Sequence, residues 1–230
     1  MNFSDESMDD PKLVHFELSA WAAGSAQVID EAVNGILAKL GRCNIMLTGG
    51  KSASLVYRAW KNLHGFQKMQ NVNFYFGDER CVSPEHIESN YGMALKSLFD
   101  LGIPKNCSIF RMEADSHDPE TAALRYANIL PSSIDVLLLS VGEDGHIASL
   151  FPNSAGLQER VRWVIPVTTA KLPHHRLTIT RPVINSARSI FVFGNGISKV
   201  EVLTTALKYP REIARLPVLL ASRGTWLMAY

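Results

Sequence analysis

Three apolar runs of strand length each stop at a glycine turn, and this constrains the fold more than any other feature of the chain. Residues 44–48 run into Gly49-Gly50, residues 135–141 into Gly142, and residues 190–193 into Gly194-Asn195-Gly196. Around these runs the apolar period changes to that of helices. From 19 to 40 it picks out Trp21, Val28, Ile29, Ala32, Val33, Ile36, Leu37 and Leu40, with Gly41 as a stop. Helical spacing returns over 52–64, 89–99 and 119–130, and again after Gly196. Further strands are expected at 72–76, 163–167, 176–180, 218–221 and 226–229. Strands that alternate with helices join through right-handed crossovers into a mostly parallel sheet. The expectation is a three-layer α/β/α, Rossmann-like fold with helices on both faces of the sheet. Residues 1–12 read as a flexible arm and 13–230 as a single domain, with no internal repeat or interdomain linker.

The bulk properties narrow the partners. The chain has 230 residues and 47% hydrophobic content, enough to close one sizeable core. A formal net charge of +1 with 20% charged residues lacks the basic surplus of a nucleic-acid binder. It leaves room for a small anion, which needs only two or three local cations. Cys43, Cys81 and Cys107 lie far apart without a CxxC pair and read as reduced thiols. The first ten residues lack the basic start and apolar stretch of a signal peptide. No apolar run reaches membrane-helix length. A soluble, cytoplasmic protein is expected, with no membrane partner.

Four polar clusters follow expected strands, at the carboxyl edge where open α/β sheets bind ligands. The first is Gly49-Gly50-Lys51-Ser52, opening a helix whose free N–H groups favour an anion. It is equally an ordinary tight turn, and it lacks the spacing of a nucleotide-binding loop. The second is Asp78-Glu79-Arg80 with Ser89-Asn90 downstream. Arg80 can grip a phosphate or carboxylate through two parallel hydrogen bonds, or pair with an acid inside a solvated loop. The third is Gly142-Glu143-Asp144-Gly145-His146, read as a turn into a helix with His146 at its start. Histidine suits proton transfer near neutral pH, with Asp144 or Glu143 to orient it. The fourth is Gly196-Ile197-Ser198-Lys199, where Lys199 in a first helical turn opposes the helix dipole. His174-His175 lack ligand-spaced partners for a structural zinc site.

Taken in order, these segments resemble the 6-phosphogluconolactonase family. The run Gly142-x-Asp144-Gly145-His146-x-Ala148-Ser149-Leu150-Phe151-Pro152 is the most specific, supported by Asp78-Glu79-Arg80, by Arg176-x-Thr178-x-Thr180 and by Gly196-x-x-Lys199. The resemblance implies hydrolysis of 6-phosphoglucono-1,5-lactone to 6-phosphogluconate, a pentose phosphate pathway step, without metal or organic cofactor. It implies a phosphorylated sugar lactone as the partner molecule; separately, a monomer or small homo-oligomer is expected. His146 would be the general base and Asp144 its support. Arg80 and Lys199 would hold the phosphate or the developing negative charge, with Gly49, Gly50 and Ser52 lining the phosphate end. Asp78 and Asn90 would contact or order the sugar. Lys51 stands where the family commonly has serine.

Two other functions compete. An aminosugar-phosphate deaminase or isomerase shares the fold, but its motif places a ring-opening glutamate where this chain has Phe151. A sugar-phosphate sensor without turnover is the other, and tight product binding without hydrolysis would mark it.

Overall fold

The computed structural model describes residues 10–230. The chain opens with β1 (Lys12–His15), α1 (Trp21–Leu40) and β2 (Cys43–Leu47). Gly41, at φ 68°, ends α1 in the left-handed conformation and donates back to the Leu37 carbonyl. Next come α2 (Gly50–Lys61), β3 (Val72–Phe76) and β4 (Asp78–Arg80). α3 (Asn90–Ser97) starts where the Ser89 hydroxyl accepts from the Gly92 N–H. After β5 (Ser108–Ile109), α4 (Pro119–Ile129) begins on an Asp118 cap with proline in the first turn. β6 (Val136–Ser140), β7 (Val164–Thr168), β8 (His175–Ile179) and α5 (Arg181–Ser186) lead to β9 (Ser189–Asn195), α6 (Ile197–Lys208) and β10 (Thr225–Ala229).

Seven strands form one sheet in the order β1-β10-β9-β6-β2-β3-β5, every neighbouring pair parallel. Helices cover both faces, as side-chain alternation along β9 makes plain. Phe193 meets Trp21 of α1 edge-on at 5.9 Å. Gly194, facing the other way, lies against Leu203 of α6. Phe74, on the Phe193 side of the sheet, meets Trp60 of α2 at 6.5 Å. Trp21, Trp60 and Trp226 are fully buried in this core. Two tyrosines tie helices to strand ends. The Tyr57 hydroxyl accepts from the Thr48 N–H and donates to the Thr48 carbonyl, both at 2.9 Å, and Tyr126 accepts from the Phe76 N–H at 2.7 Å.

The structure departs from the sequence expectations in five places. Residues 1–9 of the expected arm lie outside the described residues, and Lys12 at its end already belongs to β1, paired with β10. Asp78-Glu79-Arg80 is a strand rather than a loop. It joins β8 and β7 in a separate three-stranded antiparallel sheet, so the sheets number two. The residues after Gly142 form no helix: Gly142 and His146 close a tight loop through a 2.9 Å bond from the Gly142 N–H to the His146 carbonyl. Residues 218–221 are not a strand but part of the 3-10 helix Pro217–Ala221, whose Val218 N–H donates to the Gly145 carbonyl. Finally β1, β5 and α5 are additional elements, too short to carry a periodic signal. Among the described residues no helix is long and apolar enough to cross a membrane.

Candidate active site

β2 and β6 are neighbours whose chains continue in opposite directions across the sheet, β2 toward β3 and β6 toward β9. Such a switch leaves a crevice at the carboxyl ends of the two strands. A cleft of about 260 Å³ lies there, with Thr48, Gly49 and Gly50 beyond β2, and Val141, Gly142, Glu143 and His146 beyond β6. Lys199, in the first turn of α6 after β9, closes one side, and β4 and β8 of the small sheet close another through Asp78, Arg80 and Arg176.

His146 is held by Asp144. The imidazole Nδ1 lies 2.5 Å from the Asp144 Oδ1. The other carboxylate oxygen pairs with Lys171 Nζ at 2.8 Å. Burial pushes the Asp144 carboxyl up, but the hydrogen bonds from His146 and Lys171 outweigh it and hold the group well below the usual carboxylate range. Asp144 therefore stays an acceptor, so the bond calls for a proton on Nδ1, which in a neutral imidazole leaves the lone pair on Nε2. On one face the imidazole stacks on Phe151, with ring centroids 4.4 Å apart and planes 22° apart. The tight loop needs glycine at 142: a Cβ there would sit 2.0 Å from His146 Nδ1.

The cations come from three directions. Arg80 and Arg176 are direct cross-strand partners between β4 and β8. Arg80 donates to the Glu88 carbonyl, while its buried Nε has no hydrogen-bond partner. Arg176 donates to the carbonyls of Pro173 and Leu172 at 3.1 and 3.2 Å. Burial pulls the Arg176 guanidinium down, against the opposing pull of Asp78. Lys199 donates to the Ser52 hydroxyl at 2.9 Å, and burial lowers its pKa despite Glu143 nearby. Cations desolvated in this way gain most from an arriving anion.

A buried polar chain sets the floor. Asn90 donates to the Asp78 Oδ1 at 2.9 Å, and Ser149 donates to the Asp78 Oδ2 at 2.7 Å. Arg176 reaches the Ser149 hydroxyl at 3.5 Å. Gly49 packs directly on the Asn90 amide, leaving no room for a Cβ, which would fall 1.8 Å from the Asn90 Oδ1. Behind this floor Glu79 points the other way and accepts from the N–H groups of Arg80, Asn90 and Tyr91 and from the Ser89 hydroxyl, clamping α3 onto β4. Burial raises its pKa in spite of those donors.

A family model described as glucosamine-6-phosphate isomerases/6-phosphogluconolactonase matches residues 17–228. The chain belongs to this family. Among its relatives, the 6-phosphogluconolactonase of Pseudomonas aeruginosa is 30% identical over 204 residues, 86% of this chain and 84% of that protein. The Bos taurus 6-phosphogluconolactonase is 32% identical over 221 residues, covering 88% and 84% of the two chains. A solved 6-phosphogluconolactonase structure from Trypanosoma brucei superposes with a TM-score of 0.80 at 24% identity, covering 96% of this chain and 97% of that one. A monomeric glucosamine-6-phosphate deaminase superposes equally well, with a TM-score of 0.80 at 19% identity over 95% and 97% of the two chains. Fold alone thus does not separate the family's two named activities.

For this glucosamine-6-phosphate isomerase/6-phosphogluconolactonase family member, the residues singled out from sequence meet at one place. Gly49, Gly50, Asp78, Arg80, Asn90, His146 and Lys199 all line the cleft. Ser52 stands behind Lys199 and Asp144 behind His146, each through a hydrogen bond. Asp78 has both oxygens engaged within the protein, which fits ordering better than direct contact. Sequence reasoning missed Arg176 and Lys171, both on the cleft wall. Arg176 carried a signal, since it alternates with Thr178 and Thr180 on one strand face; Lys171, in a loop, carried none.

Proposed function

We propose that the chain hydrolyses 6-phosphoglucono-1,5-lactone to 6-phosphogluconate. The observation that carries this reading is the Asp144–His146 pair at 2.5 Å, set in a cleft that also holds Arg80, Arg176 and Lys199. The relatives named 6-phosphogluconolactonase, about a third identical over most of the chain, support the same substrate.

The chemistry needs little beyond these groups. His146 Nε2 takes a proton from water as the oxygen attacks the lactone carbonyl. The carbonyl electrons move to oxygen, and the growing negative charge falls among the cleft cations. The ring C–O bond then breaks, and the imidazolium returns its proton to the departing alkoxide, leaving a free acid and a hydroxyl. Asp144 keeps the proton on Nδ1 and stabilises the transient imidazolium. Arg80, Arg176 and Lys199 bind the substrate's anionic groups, with Gly49 and Gly50 lining the same end and Ser52 holding Lys199 from behind. Binding energy gained at the phosphate holds the carbonyl against the base.

Ser149 is no competing nucleophile: it is 1% exposed and its hydroxyl is spent on Asp78. Deamination is disfavoured because Phe151, stacked on His146, occupies the position of the ring-opening acid. The glutamate of the loop, Glu143, accepts instead from Ser198 at 3.2 Å. The test is turnover of freshly made phosphorylated lactone beside unphosphorylated gluconolactone, both corrected for spontaneous opening. Strong preference for the phosphorylated form is expected. Equal rates, ammonia release from glucosamine 6-phosphate, or 6-phosphogluconate binding without turnover would each overturn the reading.

A further inference from the structure

Phe151 is a large apolar side chain that stands apart from the hydrophobic core. It is only half-buried and does not belong to the hydrophobic core or to the side chains packed on it. Its ring is engaged by polar groups of the cleft instead. The His146 imidazole lies on it at 4.4 Å, nearly parallel. The Lys171 ammonium and the Arg176 guanidinium each stand 5.5 Å from its centroid. Three charged or chargeable groups of one site thus share a single benzene ring.

We propose that Phe151 is a positioning residue for the base and the cations around it. The inference rests on the lactonase reading of this cleft. The bond from Nδ1 to Asp144 fixes one atom of the imidazole but leaves the ring free to swing about that contact. A flat surface against its face removes this freedom and fixes where Nε2 aims. The ring's electron-rich face also attracts cations, so it anchors Lys171 and Arg176 on the same post. Lys171 is bonded to Asp144 as well, so Phe151, Lys171, Asp144 and His146 close a loop of contacts. Leucine at 151 would keep apolar bulk but lose the flat face; tyrosine would keep it.

The test pairs kinetics with a spectroscopic reading on the full chain. Phe151→Leu should lower kcat about tenfold, the scale of loss for a base turned slightly out of line, with a smaller rise in KM as Arg176 loses part of its anchor. Phe151→Tyr should stay near wild type. In proton NMR spectra, the His146 ring protons should carry the ring-current shift of a stacked aromatic neighbour, kept in Phe151→Tyr and lost in Phe151→Leu. The NMR arm needs no substrate, so it judges the stack even if wild-type protein fails to open the lactone, a result that would count against the lactonase reading. Wild-type kcat in Phe151→Leu, a fall in both variants alike, or unmoved His146 signals would overturn the inference.

Discussion

Arg80 and Arg176 stand directly opposite each other across two antiparallel strands, both bordering the cleft. Like charges in that register repel, and the Glu88 carboxylate 3.7 Å from Arg80 offsets only part of the pair's charge. An anion bound between the two guanidinium groups would offset that repulsion.

Arg80→Met is therefore expected to raise KM for the phosphorylated lactone tenfold or more, since a charge-assisted hydrogen bond contributes about 1.5–3 kcal/mol. Turnover of unphosphorylated gluconolactone should change far less. Steady-state kinetics with both substrates checks this, and equal effects on the two would argue against an anion grip.

Asp144→Asn removes the acceptor that keeps the proton on His146 Nδ1. A loss in kcat of about 100-fold or more is expected, within the range of general base catalysis, with folding retained. The same carboxyl carries a stability signature. Its folded pKa lies below its unfolded value, so the stabilisation is complete above about pH 4 and fades as pH falls toward the folded pKa. Urea denaturation at pH 7 and pH 3 should show the stability difference between wild type and Asp144→Asn beginning to narrow at the lower pH, with the larger part of it still present.

Lys199 should show the opposite pattern. Burial lowers its pKa, so at neutral pH the charged ammonium costs stability. The unfolded chain binds the extra proton as pH rises toward about 10, so that cost is relieved there. Lys199→Met is expected to melt no lower than wild type at pH 7 while binding 6-phosphogluconate more weakly, with the melting difference shrinking by pH 10. A clear loss of stability at pH 7 would mean that its bond to Ser52 outweighs the desolvation.

Gly142→Ala places a methyl group 2.0 Å from the imidazole and 2.8 Å from the Asp144 carboxylate. The loop must shift and the pair must separate. Activity should fall about 100-fold, the contribution of an oriented base, while circular dichroism stays that of wild type. An active Gly142→Ala would show that the close approach is not needed.

The elements legible in the sequence were those whose own residues carry the pattern. β3 spans 72–76 as its aromatic run indicates, and α1 ends where Gly41 stops it. β4 was illegible because Asp-Glu-Arg has no strand pattern of its own; it is a strand only because β8 lies beside it. The loop after Gly142 mimics a helix start in composition. Tertiary contacts hold it otherwise, with Ala148 at φ 49° and Val218 bonded to the Gly145 carbonyl. The site fared better than its surroundings, because polar residues after apolar strands must gather at one sheet edge. Lys171 escaped notice because an exposed loop lysine gives no hint of the carboxylate it will meet.

The most direct measurement is hydrolysis of fresh 6-phosphoglucono-1,5-lactone by wild type and by His146→Ala, at equal folded concentration. The imidazole bonded to Asp144 is the only group given the proton transfer, so kcat should fall about 100-fold or more while 6-phosphogluconate still binds the cations. A His146→Ala protein that turns the lactone over at the wild-type rate would contradict the account.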